Sequence, residues 1–170
     1  MREIQISQKM LTQAQKKLAA IHTKENLGLS KFGSEYDRIL VGYIGEQMIM
    51  EYLKISTDSD AFDYDLLYQN KKLEVKTISC KFKPLPHYWC TVNSHDLKGV
   101  HKQTADYYLF LRILNDKSKG WILGGMACTD FFKKGKFVPK GTDFGKFKFY
   151  KANATILAIS ELVDIEMLLR

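Results

Sequence analysis

Residues 62 to 79 read FDYDLLYQNKKLEVKTIS, two β-type runs that meet at Asn70 and Lys71. Side chains along a strand alternate between its faces. Asp63, Asp65, Leu67 and Gln69 therefore share one side of the first run, and Lys72, Glu74, Lys76 and Ile78 share one side of the second. A two-residue turn at Asn70 and Lys71 pairs Asp65 with Lys76 and Leu67 with Glu74, so that Asp65, Glu74 and Lys76 face the same way. A three-residue turn without a bulge would send Glu74 and Lys76 to the opposite face. Hairpin register is thus the condition on which any site here depends.

Before this hairpin, residues 35 to 53 (EYDRILVGYIGEQMIMEYL) bring Ile39, Tyr43, Met50 and Leu53 round at helical steps, which predicts a core-facing stripe. Glu46 falls on that stripe, three after Tyr43 and four before Met50. A buried carboxylate is costly unless a cation, a donor or a metal accompanies it, so Glu46 needs a partner. Gly42 and Gly45 lie beside it and allow the helix backbone to approach a strand. Residues 8 to 22 read as an earlier amphipathic helix, with Ala14, Leu18 and Ile21 on its apolar face and Lys9, Lys16 and Lys17 mostly elsewhere. After the hairpin, strands are expected at 88 to 93, 106 to 114 and 120 to 126, then a short helix from Thr129. Extended runs at 146 to 150 and 155 to 158 follow, and then a final helix capped by Ser160 and running through Leu169.

A chain of 170 residues, 45% hydrophobic, suits one domain over 1 to 170. Within it, 1 to 33 form an N-terminal helix and loop, 34 to 114 a core, and 115 to 170 a basic continuation. No apolar run reaches the roughly 18 residues of a membrane span, and the N-terminus has no secretory h-region. A soluble, intracellular (cytoplasmic) protein without a membrane partner is expected. Cys80, Cys90 and Cys128 are too few and scattered for a disulfide framework, and with His87 and His95 they match no common zinc spacing. The net charge of +7 is localised: residues 101 to 151 hold eleven Lys or Arg against four Asp, and the remainder balances at fifteen against fifteen. Such asymmetry points to a polyanionic partner, with a solubilising face as the plain alternative.

Two carboxylates supply hard oxygen ligands for Mg²⁺, which keeps several waters and takes a phosphate oxygen. A metal there acidifies a bound water, and Lys76 is placed to orient it or to stabilise charge developing on phosphorus. Val75 lies between them and offers its carbonyl as a further ligand. The plain alternative for Glu74 and Lys76 is a solvated ion pair worth about 0.2 to 1 kcal/mol. Neither a GxSxG elbow nor a GxxxxGK[ST] loop occurs, which argues against a serine hydrolase and a nucleotide-phosphate loop. Between 131 and 151, phenylalanines interleave with Lys133, Lys134, Lys136 and Lys140. There the lysines are the expected phosphate contacts and the rings mostly core. His101, Lys102 and Gln103 precede the DYYLF strand, and Lys102 joins these lysines as a candidate nucleic-acid contact. His87, Tyr88 and Trp89 follow a proline-bounded loop and suit a substrate groove, although a Trp at a strand start is more often core.

Glu46 in GYIGEQ, Asp65 in DYDLL and Glu74 to Lys76 in LEVKT resemble, in type and order, the motifs of the PD-(D/E)xK nuclease superfamily. The likeness extends from about residue 35 to about 114. It implies a restriction-endonuclease-like α/β fold, a mixed central β-sheet flanked by α-helices. It also implies Mg²⁺- or Mn²⁺-dependent hydrolysis of DNA phosphodiesters as an endonuclease, with Asp65, Glu74, Glu46 and the Val75 carbonyl about the metal. Tyr64 stands where the motif has proline, and Asp63 offers a second carboxylate on the same face, so either aspartate fits as the main ligand. A homodimer is left open by the resemblance, since many enzymes of that fold pair, though no interface pattern is legible. Rival expectations are a non-catalytic nucleic-acid-binding protein on the same fold, an RNA-directed nuclease, and a structural subunit whose basic face meets an acidic protein.

Overall fold

The computed structural model describes residues 1–24, 34–56, 64–93, 104–143 and 150–170. Asp63, His101, Lys102, Gln103 and all but Tyr150 of the strand expected over 146 to 150 lie outside them. The described chain is a mixed α/β structure. Its elements are β1 (Arg2–Gln5), α1 (Gln8–Lys24), α2 (Ser34–Leu53), β2 (Leu66–Tyr68), β3 (Lys71–Cys80), β4 (Trp89–Asn93) and β5 (Tyr107–Leu114). They continue with β6 (Lys119–Ala127), α3 (Cys128–Lys134), β7 (Lys136–Val138), β8 (Ala154–Ala158), a 3-10 turn (Ile159–Glu161) and α4 (Ile165–Leu168).

Five strands form one sheet in the order β1-β6-β5-β3-β2, in which β3 and β5 run parallel and the other neighbours antiparallel. β5 is its centre, and Tyr108 to Leu111 are all buried, as a strand covered on both faces requires. Leu73, Val75, Leu109, Leu111 and Ile113 point to one face and pack with Met10, Ala14 and Leu18 of α1 and Leu40, Val41, Ile44, Met48 and Ile49 of α2. Tyr108, Phe110, Trp121 and Met126 take part in the core of the other face, beneath Cys90 and Val92 of β4, Leu157 of β8 and Phe131 of α3. Each fully buried aliphatic side chain contributes roughly 1.5 to 3 kcal/mol. The second face carries a three-stranded antiparallel sheet, β4-β8-β7, together with the short α3.

α2 spans the expected residues, but its deepest stripe is Val41, Ile44 and Met48, while Ile39, Tyr43, Met50 and Leu53 are only half-buried. The helix packs against α1 as well as the sheet, so it is apolar on more than one side. The single C-terminal helix expected from Ser160 is two short pieces. Val163 leaves the helical path to exchange both backbone hydrogen bonds with Gly125, and Asp164 restarts the chain by accepting the Glu166 N–H at 2.9 Å. Gly124, at φ 133, sits where the β5–β6 register shifts, and a Cβ there would meet the Val163 carbonyl at 2.6 Å.

Candidate metal centre

The hairpin turns one residue earlier than Asn70 and Lys71. Gln69 and Asn70 are the two turn residues, with φ of 48 and 63, the doubly positive pattern that suits a tight hairpin. Leu66 pairs with Leu73, Leu67 with Lys72 and Tyr68 with Lys71. An even-length turn keeps the expected phase through Leu66, the last paired residue, and a continued register would set Asp65 level with Glu74 rather than Lys76. β2 is only three residues long because Asp65 leaves the ladder. Its backbone N–H still donates to the Leu73 carbonyl at 3.0 Å, while its Oδ2 accepts the Val75 N–H at 2.7 Å. The N–H and C=O of one strand residue point to the same edge, so the Val75 carbonyl opens on the side that Asp65 caps.

Glu74 and Lys76 form an ion pair at 2.7 Å and are both partly buried. Burial, and then the adjacent Glu74 carboxylate, push the Asp65 carboxyl up to about 6, against the pull of the Val75 N–H, Lys76 and Lys17. Glu46 is 6% exposed, as its place on an apolar helix demands, and its Oε2 accepts from Lys17 Nζ of α1 at 2.7 Å. Lys17 also stands 5.0 Å from the Tyr43 ring centre. It is the residue that sequence reasoning set aside, yet it lies seven after Met10 and four before Ile21, on the apolar stripe itself. The same anomaly that marked Glu46 could have marked it.

Gly45 brings α2 down on β3 at Thr77, where a Cβ would fall 1.9 Å from the Thr77 hydroxyl oxygen. Gly42 has nothing within 4 Å and has no such role. On the other side of β3, Glu74 is in register with Tyr108, whose ring meets those of Phe131 and Phe132 at 5.5 and 6.0 Å. Lys133 and Lys134 end that same helix, Lys136 opens β7, and Lys140 follows it. All four are exposed. Lys72 shares the Glu74 face and reaches over the Tyr64 ring at 5.5 Å. Two aromatic expectations change: Trp89 is 50% exposed rather than core, and Phe132 and Phe137 are exposed beside the lysines.

Among the described residues no three His, Cys, Asp or Glu side chains converge closely enough to hold a metal ion together. The donor set nonetheless fits one hard divalent cation. Mg²⁺ takes one or two carboxylates and fills its remaining positions with water and phosphate oxygen. Asp65 and Glu74 are such a pair: burial first, and then the Glu74 charge, raise the Asp65 carboxyl, and a cation between them would relieve the second of these. No protein-family model matches the chain, and no curated protein or solved structure matches it at a significant level.

Proposed function

We propose that the chain is a divalent-metal-dependent nuclease of the PD-(D/E)xK kind, with a restriction-endonuclease-like core, that hydrolyses DNA phosphodiesters as an endonuclease. The observation that carries this reading is the half-buried Asp65 carboxylate, pushed up to about 6, which accepts the N–H of Val75 between the two residues of the Glu74–Lys76 ion pair. Asp65 and Glu74, with the Val75 carbonyl at the open edge, are the residues that would hold Mg²⁺ or Mn²⁺. When bound, such an ion neutralises phosphate charge and acidifies a water. Lys76, 2.7 Å from Glu74, is the residue that would orient an attacking water or stabilise negative charge growing on the phosphate oxygens. The Val75 N–H fixes the Asp65 carboxylate, and Lys17 holds Glu46 in place behind it. Lys133, Lys134, Lys136 and Lys140 supply the exposed positive charge that tracks a phosphate backbone.

A second reading, a non-catalytic nucleic-acid-binding protein, draws support from the same ion pairs, because Glu46 and Glu74 each already face an ammonium group. Incubation of the purified protein with plasmid and branched DNA in Mg²⁺ or Mn²⁺, beside a Lys76→Ala variant, separates the two. The nuclease reading expects metal-dependent cleavage that the variant loses. Cleavage that survives the substitution sinks it, and binding without cleavage favours the second reading.

A further inference from the structure

The strand that carries Glu74 and Lys76 leads to an exposed aromatic surface. Ile78, next on the same face of β3, is exposed, roughly 13 Å along the strand from Glu74. Its neighbour in register is Arg112, whose guanidinium donates to the Trp89 carbonyl at 2.9 Å and lies 5.9 Å from the Tyr88 ring centre. Trp89 is 50% exposed, and Phe82, on the loop between β3 and β4, is 77% exposed.

This loop is held rather than loose. Pro84 is buried, the Tyr88 N–H donates to Leu85, and Ile159 and Ser160 donate to the Tyr88 and Pro86 carbonyls at 2.9 Å. Rings exposed on and beside a loop anchored in this way present apolar area that folding alone does not call for. Along the loop itself the charge has one sign: residues 78 to 89, ISCKFKPLPHYW, contain Lys81 and Lys83 on either side of Phe82 and no acidic residue, although the Glu3 carboxylate of β1 is close enough to feel Lys83. Rings set among cations match a strand whose backbone is anionic and whose bases offer flat faces. In a duplex those faces are stacked inside, so only unpaired bases can reach an exposed ring.

Resting on the nuclease reading, we infer that Phe82 and Trp89 form a stacking platform for unpaired bases, so that the substrate is DNA with a single-stranded segment leading from the Asp65–Glu74 centre. Lys81 and Lys83 take its phosphates.

The test is fluorescence anisotropy with a labelled oligothymidylate and a blunt hairpin duplex, in EDTA, for the native chain, Phe82→Ala, Trp89→Ala and the double variant. Each substitution is expected to weaken single-strand binding by roughly 5- to 100-fold and to change duplex binding by less than about twofold. Trp121 is 3% exposed, so quenching of tryptophan emission by the unlabelled oligomer should come from Trp89 and vanish in Trp89→Ala. Single-strand affinity unchanged in the double variant, equal losses on both DNAs, or emission that ignores the oligomer would each overturn the inference. Thermal unfolding of the variants checks that these exposed changes leave the fold intact. Because the assay reads binding without metal, its failure leaves the hydrolytic reading standing, and absence of cleavage leaves the platform testable.

Discussion

Replacing Asp65 by Asn should stabilise the protein, and by an amount that depends on pH. The carboxyl rises from an ordinary 3.8 to about 6, first through burial and then through Glu74. A raised acid binds its proton more tightly folded than unfolded. Its contribution to stability is therefore complete below about pH 4 and is lost as pH rises through 6. At about 1.36 kcal/mol per unit, the charged carboxylate costs up to roughly 3 kcal/mol above pH 7. Asn is neutral throughout and keeps an oxygen to accept the Val75 N–H, so that hydrogen bond survives the change. Urea unfolding in EDTA from pH 4 to 8 should show native and Asp65→Asn chains equal at pH 4. By pH 7.5 the variant should be ahead by about 1 to 3 kcal/mol, or about 2 to 4 °C in Tm per kcal/mol. A difference that does not vary with pH, or a variant less stable at pH 7.5, would refute the claim that Asp65 is held ionised at a cost.

Lys17→Met removes the 2.7 Å ammonium partner of a buried carboxylate and should cost about 3 kcal/mol, most of it recovered in Lys17→Met/Glu46→Gln. A double variant no better than the single one would contradict the pairing. Gly45→Ala drives a methyl to within 1.9 Å of the Thr77 hydroxyl oxygen and should destabilise by about 1 to 3 kcal/mol. Gly42→Ala meets open space and should gain up to about 1 kcal/mol from helix propensity, so equal effects on the urea midpoint would contradict the close approach at Gly45.

The strongly patterned elements were legible in the sequence: α1 and α2 from their periodicity, and β5 and β6 from apolar runs too short for helices. The nearness of Asp65 to the Glu74 and Lys76 charges was legible only up to the parity of the turn. No Asn-Gly or Asp-Gly marks the turn, so its position one residue earlier, with Gln69 in a left-handed conformation, could not be read. β1 was missed because Arg2–Gln5 is mostly polar and exposed. It is held by pairing with β6 and by Glu3 accepting from Trp121 and Lys119, which are partners far away in sequence. The C-terminal helix was over-extended because the two-way bond between Val163 and Gly125 overrides local propensity. Glu46 was found because a carboxylate on an apolar stripe is anomalous. Lys17 was not, since a lysine stem is routinely tolerated beside such a stripe.

The most direct test of the centre is Mn²⁺ binding at pH 7.5, followed by calorimetry and by the electron-paramagnetic signal of the free ion. One ion should bind the native chain, and binding should fall at least tenfold in both Asp65→Asn and Glu74→Gln. An undiminished affinity in these variants, or no binding to the native chain, would contradict the assignment of Asp65 and Glu74 as a metal site.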